Sequence, residues 1–403
     1  MTNIKEIYKK DLCCNCGTCE AVCPVKAITL QIDKRGFYEP RIKSRLCIDC
    51  GKCYKICPGK EYIVKGIDFT HPSFYGFTNN SILRRKATSG GLLTELVTYL
   101  VKNNLVSKAI VVKTKATSLE PEVIITDNIK EIINSATSKY CPVPVNKVIS
   151  KIRSSKDTFV IVGLPCHIQG LKNVLKLDKQ LQTKIKFTIS LFCNHTPSFN
   201  ATKYILANLN IKDWNKIYYR GMGWPGCLHI ISANPIKVPF TQMWSSGFGQ
   251  YFKPYRCLIC NDPFGELADA TFGDAWFINA KEDNKGNSIM LVRSKVLLKI
   301  INSMKKKKII RLTKINNRDF KQYLSNMVNL RQTRLPTYLV TARLLGKSIP
   351  TGFVWKDTKL QIEAVKFFLR ENLKEKLGRL RILWHPLYLF KTRGKGLPVE
   401  RIE

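Results

Sequence analysis

Acidic side chains are scarce in this chain of 403 residues. It has 29 Asp and Glu against 67 Lys and Arg, a formal net charge of +38 at pH 7. Such an imbalance points to nucleic acid, an anionic membrane, or acidic redox partners and anionic substrates. No helix-turn-helix, RNA-binding or zinc-finger signature accompanies the charge, so no nucleic-acid partner is expected. The lysines are spread over the whole chain, and a solvated surface accounts for part of the excess. Also missing is any run of 18 apolar residues, so no transmembrane helix is expected. No secretory signal is read at the N-terminus, which argues against a disulfide framework and for thiolates in a reducing cytoplasm. There is no low-complexity tract, and no internal repeat beyond two cysteine runs.

Cysteine, by contrast, is plentiful, with 15 residues. Cys13, Cys16, Cys19 and Cys23, then Pro24, repeat as Cys47, Cys50, Cys53 and Cys57, then Pro58. Each run is C-x2-C-x2-C-x3-C-P, the spacing that holds [4Fe–4S] clusters in bacterial ferredoxins. Three cysteines two residues apart wrap one cubane, and the fourth points to the other cluster. This assigns Cys13, Cys16, Cys19 and Cys57 to one cluster, and Cys47, Cys50, Cys53 and Cys23 to the second. Cys14 is out of register and is read as unliganded. Zinc sites use paired knuckles, not this triple spacing run twice. Residues 1–66 are therefore expected to form a two-cluster ferredoxin-like α+β module of βαββαβ type, with strands at Ala27–Gln31 and Tyr62–Gly66.

The length and a 44% hydrophobic content allow two to three domains with full cores. Residues 67–80 read as a linker at the start of a second domain spanning 67–290. Ser89-Gly90-Gly91 precedes an amphipathic helical run, Leu92–Val101, and suits either an anion site at a helix N-terminus or a plain Ser cap. Ala109–Lys113, Val123–Thr126, Phe159–Gly163 and Phe187–Phe192 read as strands, with a helix at His167–Leu177. The alternation implies a mostly parallel α/β sheet. Cys166 and Cys193 fall at the carboxyl ends of strands, where such sheets bind ligands. With the knuckle Cys257 and Cys260 they suit a third iron–sulfur cluster or a zinc ion, or else are structural cysteines and a chance pair. Gly221-Met222-Gly223-Trp224-Pro225-Gly226 is formally G-x-G-x-x-G, but a strand and not a helix follows it, so a dinucleotide site is rejected. Residues 291–403 read as a basic, mostly helical C-terminal extension. Its Phe367–Phe390 stretch suits packing against the preceding domain, with peripheral docking on a membrane surface as the alternative.

The motifs Ser89-Gly90-Gly91, Gly163-Leu164-Pro165-Cys166, Phe192-Cys193, Arg220 to Gly226, Cys257-x2-Cys260-Asn261-Asp262, Glu266 to Asp269 and Phe272-Gly273-Asp274-Ala275-Trp276 come in an order that resembles the beta subunit of coenzyme F420 hydrogenases and dehydrogenases. The resemblance runs from about residue 70 to 290, with the ferredoxin module fused in front. It implies an α/β flavin-binding domain with FAD beside a [4Fe–4S] cluster held by Cys166, Cys193, Cys257 and Cys260. It also implies Ser89, Gly90 and Gly91 at the FAD pyrophosphate, and Lys139 and Tyr140 near the flavin. The expected function is an iron–sulfur flavoprotein oxidoreductase that passes electrons between ferredoxin-type clusters and a small-molecule two-electron substrate, a deazaflavin such as coenzyme F420 or another. The alternatives are a non-catalytic electron-transfer subunit docking an acidic carrier, or a reductase serving polysaccharide biosynthesis. Candidate proton donors, by position, are His167, His195 and Asp274.

Overall fold

The computed structural model describes residues 3–278, 283–355 and 360–401. Its frame is an eight-stranded sheet made of β3 (Ser73–Thr78), β4 (Lys108–Lys113), β5 (Glu122–Thr126), β6 (Phe159–Gly163), β7 (Ile185–Leu191), β11 (Ala270–Asp274), β12 (Ser288–Val292) and β13 (Ile310–Ile315). Their order across the sheet is β13-β3-β12-β11-β7-β6-β4-β5. Only β4, β6, β7 and β11 form a parallel run; the other pairings are antiparallel. Because β12 opposes both β3 and β11, β3 points the same way as the parallel run. The expected mostly parallel sheet is thus confined to the centre, but five strands share one carboxyl edge.

Both faces of the sheet are covered. Phe159 and Ile161 of β6 face one core, while Val160 faces the other. The apolar residues Leu92, Leu96, Val97, Leu100 and Val101 recur at helical spacing and bury one side of the helix Leu92–Lys102 against the second face. Each such burial contributes about 1.5–3 kcal/mol. The helix Lys295–Lys306 packs beside it through Leu297, Ile301 and Met304. The helix Pro165–Leu175 covers the opposite face. A second, antiparallel sheet joins β8 (Lys216–Tyr218), β9 (Cys227–Ile231), β10 (Ile236–Pro239) and β14 (Glu400–Arg401).

Three expectations need correction. Ser73–Thr78 lies in the stretch read as a linker, yet it pairs on both sides in the large sheet. Gly76 belongs there because a Cβ would come within 1.9 Å of the Arg311 carbonyl oxygen on β13. The helical C-terminal region supplies that edge strand. The N-terminal module has one two-stranded sheet, β1 (Ile28–Ile32) with β2 (Tyr38–Ile42), in place of βαββαβ. Tyr62–Gly66 forms no strand because Tyr62 is engaged elsewhere. Its N–H donates to the Thr351 carbonyl (2.8 Å) and its hydroxyl to the Ile259 carbonyl (2.5 Å).

The C-terminal region has a packing role. Leu335, Leu339, Ala342, Ala364 and Phe368 share one core with Ile4, Ile7, Leu12 and Ile28 of the module and with Tyr255, Leu258 and Ile259. Trp384 and Tyr388 join Tyr204 and Phe252 in the main core. At the module's other side, the fully buried Asn146 donates from its amide to Thr18 Oγ1 and to the His167 carbonyl, both at 2.8 Å. Its backbone N–H donates to the Cys16 carbonyl. A Cβ on Gly170 would lie 2.4 Å from Thr18 Oγ1. The substitution Asn146→Ala is expected to cost about 1–3 kcal/mol by orphaning these groups, measured by denaturant unfolding.

His229 on β9 is buried and faces Lys237 across the β9–β10 pair. Burial, then that cation, holds its imidazole below the usual range. The unfolded chain therefore takes up this proton first, and stability falls as pH drops below about 6.5, by up to about 1.4 kcal/mol per pH unit. His229→Gln is expected to flatten that slope in unfolding measured between pH 7 and pH 5.

Candidate functional site

The two cysteine runs fold into matching loops. Gly17 (φ +81°) and Gly51 (φ +65°) take left-handed conformations that open the short helices Thr18–Ala21 and Lys52–Lys55. Cys13, Cys16, Cys19 and Cys57 come together. Burial is the main cause that raises each thiol; Cys57 has Cys13, Cys16 and Cys19 beside it, Cys19 has Cys13 and Cys16, and Cys14 adjoins Cys13, Cys16 and Cys57. Cys53 likewise neighbours Cys50 and Cys23. The N–H groups of Asn15, Ala27 and Gly59 point at the sulfurs of Cys13, Cys23 and Cys57 at 3.5, 3.2 and 3.4 Å. Such donors suit thiolates bound to iron. The sets differ in exposure: Cys16, Cys19 and Cys57 are buried, whereas Cys50 is exposed among exposed Lys43, Arg45, Leu46, Ile48, Lys52 and Lys55.

Five strands deliver their ends to one edge of the large sheet, and a third cysteine set lies there. Cys166 opens the helix after β6, Cys193 follows β7 by two residues, and Cys257 and Cys260 flank the end of the short helix Tyr255–Leu258. Cys193 has Cys257 and Cys260 as neighbours, and Cys166 has Cys193. Cys14 is the residue that sequence reasoning missed. Its thiol lies beside that of Cys166, and with the Arg256 cation this draws Cys14 below the ordinary thiol range. The Cys166 sulfur also lies 4.0 Å from the Cys14 carbonyl oxygen. Cys14 thus stands between the two sets, beside Cys13, Cys16 and Cys57 on one side and Cys166 on the other. The doubled Cys13-Cys14 was the available signal.

Beside this set, stretches 84–91, 137–141, 220–226, 274–278 and 283–287 converge. Ser138 Oγ meets Thr88 Oγ1 at 3.2 Å, the Gly223 N–H donates to the Arg85 carbonyl, and the Trp224 N–H to the Asn284 carbonyl. Ser89 does not cap the helix. Its hydroxyl donates to the Asn287 carbonyl (2.6 Å), and Gly91 at φ +76° is the N-cap with no side-chain bond. Gly90 packs against its own protein, since a Cβ would lie 2.3 Å from the Gly76 carbonyl oxygen. The free N–H groups of the Leu92–Lys102 helix remain an anion-binding feature. Lys139 donates to the carbonyls of Ser135 and Thr137 at 2.6 and 2.9 Å, closing the end of the helix Ile129–Asn134. Burial brings its ammonium down to about 7.

At the centre of these loops Arg220 is 1% exposed. It pairs with Asp274 and donates to the Pro225 carbonyl at 2.7 Å. Its guanidinium lies 4.5–5.2 Å from the rings of Phe240, Trp224 and Trp276, and its Nη2 has no partner. Tyr140 stacks on Phe240 and meets Trp244 edge-on (5.0 Å). His195 packs on Trp244 at 5.5 Å, buried, with both ring nitrogens unpartnered. Burial, Lys253 and Arg331 hold it neutral. It stands two residues from Cys193, so the aromatic box and the third cysteine set are neighbours. His167 lies apart from the box. Its Nδ1 accepts the Leu164 N–H at 3.1 Å, closing the turn before its own helix, and burial lowers it to about 4. Its place is structural.

An α/β sheet carrying three cysteine sets, two of them built on a doubled C-x2-C-x2-C-x3-C run, defines an iron–sulfur electron-transfer protein. Residues 12–60 match the 4Fe-4S dicluster domain. Residues 73–150 and 156–318 match the N- and C-terminal domains of the coenzyme F420 hydrogenase/dehydrogenase beta subunit. The chain belongs to this family of beta subunits, which are components of oxidoreductases. It is 26% identical over 57% of its length to an uncharacterized protein of Methanocaldococcus jannaschii, covering 83% of that protein. It is 24% identical over 67% of its length to the coenzyme F420-dependent sulfite reductase of the same organism, spanning 43% of the latter. It is 25% identical over 52% of its length to the beta subunit of the coenzyme F420 hydrogenase of Methanosarcina barkeri, covering 74% of that chain. Among solved structures, a chain of the F420-reducing [NiFe] hydrogenase complex of Methanosarcina barkeri shares the fold, with a TM-score of 0.55 and 16% identity over 72% of this chain and all of the other.

The Asp274 carboxylate is the one that Arg220 has among the described residues. Asp274→Asn is expected to cost on the order of 3 kcal/mol by leaving a buried guanidinium unpaired. Chemical denaturation against wild type measures it.

Proposed function

We propose that this chain is an iron–sulfur flavoprotein oxidoreductase that carries electrons between an acidic protein carrier and a small organic two-electron substrate. One observation carries the reading. The three cysteine sets and the aromatic box form a continuous series from the exposed Cys50 to the buried Arg220, joined by the Cys14–Cys166 contact and the His195–Trp244 contact. When bound, the clusters and FAD supply the one- and two-electron chemistry; the residues of this chain hold them in that order and keep water out.

Cys166, Cys193, Cys257 and Cys260 are the ligands we assign to a third [4Fe–4S] cluster, with Cys14 alongside. Among the described residues no group of three or more His, Cys, Asp or Glu is placed to hold a single metal ion. That favours a cubane, whose thiolates sit on separate irons, over zinc. The box of Tyr140, Trp224, Phe240 and Trp276 suits a flat aromatic ring system. The unpartnered Arg220 Nη2 suits an electron-rich edge of that ring, and the Leu92 end of its helix suits the FAD pyrophosphate. In this arrangement Ser89, Gly90 and Gly91 shape the loop, Lys139 fixes it, Asp274 orients Arg220, and His195 is the candidate to hold or move a proton.

The substrate class is a reducible organic molecule. Coenzyme F420 is what the relatives' names point to, and a substrate of polysaccharide biosynthesis is the alternative. The partner is an acidic electron carrier, docking where Lys43, Arg45, Lys52 and Lys55 ring the exposed Cys50. No helix among the described residues is long and apolar enough to cross a membrane. A cytoplasmic location, with peripheral contact at the exposed Ile382 and Phe390 beside basic side chains, fits this reading.

Iron and flavin counted per chain in one anaerobically purified sample test the proposal. About twelve irons with one FAD are expected for three cubanes and the flavin. About eight irons without flavin would leave a wiring subunit only. Reversing charge with the pair Lys52→Glu and Lys55→Glu is expected to slow reduction by an acidic ferredoxin at least tenfold at low salt, and less at high salt. Stopped-flow kinetics read both conditions.

A further inference from the structure

The chain buries four arginines, Arg84, Arg220, Arg256 and Arg331. Two have carboxylates: Asp283 faces Arg84 and Asp274 faces Arg220. The other two have none among the described residues. Both are 5% exposed, and the Nε of each lacks a hydrogen-bond partner. Both stand at the third cysteine set. Arg256 directly precedes Cys257, lies 5.2 Å from the Tyr62 ring, and has Cys14, Cys257 and Cys260 as its charged neighbours. Arg331 donates through Nη1 to the carbonyls of Cys257 (2.6 Å), Leu258 (3.1 Å) and Cys260 (3.4 Å), and through Nη2 to Asn194 Oδ1 (2.9 Å) and its carbonyl.

A guanidinium does not give up its proton in a protein, and a buried unpaired cation costs several kcal/mol. Carbonyl dipoles offset part of that cost for Arg331; among the described residues Arg256 has the face of the Tyr62 ring and no carboxylate. The missing anion is therefore expected at the sulfurs. A cubane held by four thiolates carries net negative charge, and gains one more unit on reduction. Positive charge fixed beside it favours the reduced form, because the attraction grows with the cluster's charge and the low-dielectric interior screens it little.

We propose that Arg256 and Arg331 are the counter-charges of an iron–sulfur cluster at the Cys14–Cys166–Cys193–Cys257–Cys260 site and raise its reduction potential. This rests on the third-cluster reading above. Its consequence is directional: the third cluster draws electrons inward from the ferredoxin module toward the aromatic box.

The test is a redox titration of the anaerobic full chain followed by electron paramagnetic resonance, with iron counted on the same samples. The third-site signal is the one that Cys257→Ala removes. Arg256→Gln is expected to keep the wild-type iron content and to shift that signal's midpoint to a more negative value, about tenfold in the equilibrium, or about 59 mV for one electron. Arg256→Lys, which keeps the charge, is expected to stay near wild type. A wild-type midpoint in an iron-replete Arg256→Gln protein overturns the proposal. So does an Arg256→Lys midpoint shifted as far as that of Arg256→Gln, because the role would then be packing. If Arg256→Gln sheds iron, retention of iron by Arg256→Lys supports the charge role and its loss overturns it. A wild-type chain with about eight irons and no signal removed by Cys257→Ala overturns the third cluster itself, a failure distinct from an unchanged midpoint in a twelve-iron protein.

Discussion

The fit between the N-terminal cysteine loops and the carboxyl edge of the large sheet is the constraint on which the rest depends. A two-cluster module of about sixty residues has little core of its own. Here Asn146, Thr18 and Gly170 lock one side of it to the helix after β6, while Tyr62 locks the other to the Cys257 turn. These contacts bring Cys14 against Cys166. Without them the two halves would be separate redox units joined by a linker. With them, the first and third cysteine sets are a single neighbourhood, and the second set, with the exposed Cys50, becomes its outer end. This geometry distinguishes an ordered series from a tethered pair.

The same economy explains why hydrogen bonds at the candidate cofactor loops run mostly to backbone. Ser89 and Trp224 each engage a carbonyl of a neighbouring loop, and Lys139 those at the end of the helix just before it, so the loops are held by the protein itself. That leaves a small set of polar atoms free: Thr137 Oγ1 and, in the aromatic surround, Arg220 Nη2 and the two ring nitrogens of His195. In a buried setting an unpaired donor costs about 1–3 kcal/mol. Retaining three in one aromatic surround is costly unless something else meets them.

Much of this was legible in the sequence, and the parts that were not share a cause. The strand ends before Cys166 and Cys193 and the strand that follows Gly221–Gly226 were read from local spacing, and the structure has all three. The misreadings come from long-range partners that local patterns do not carry. Ser73–Thr78 looked like a linker because His71, Pro72 and the Asn79-Asn80 pair punctuate it, yet β12 and β13, more than 200 residues away, fix it as a strand. Tyr62–Gly66 alternates like a strand but is claimed by Thr351 and Ile259. Ser89 has the residue type of a cap, and the Asn287 carbonyl takes its hydroxyl. Cys14 was discounted because the ferredoxin register has no place for it; its contact with Cys166, 152 residues away, is one that local spacing does not carry. Arg256 and Arg331 carried no signal, since only burial separates them from the many solvated cations of a chain with a charge of +38.

The core shared by Ile4, Ile7, Leu12 and Ile28 with Leu335, Leu339, Ala364 and Phe368 joins the beginning of the chain to its final sixth. During synthesis the cysteine loops are made first, and the surface that closes over them is made last. For most of the time the chain spends on the ribosome, the thiols of the first run are therefore open to whatever delivers iron and sulfide. Closure by the late helices then acts as a seal on a filled site. The fold thus puts the closing of this core after the synthesis of the cysteine loops it covers.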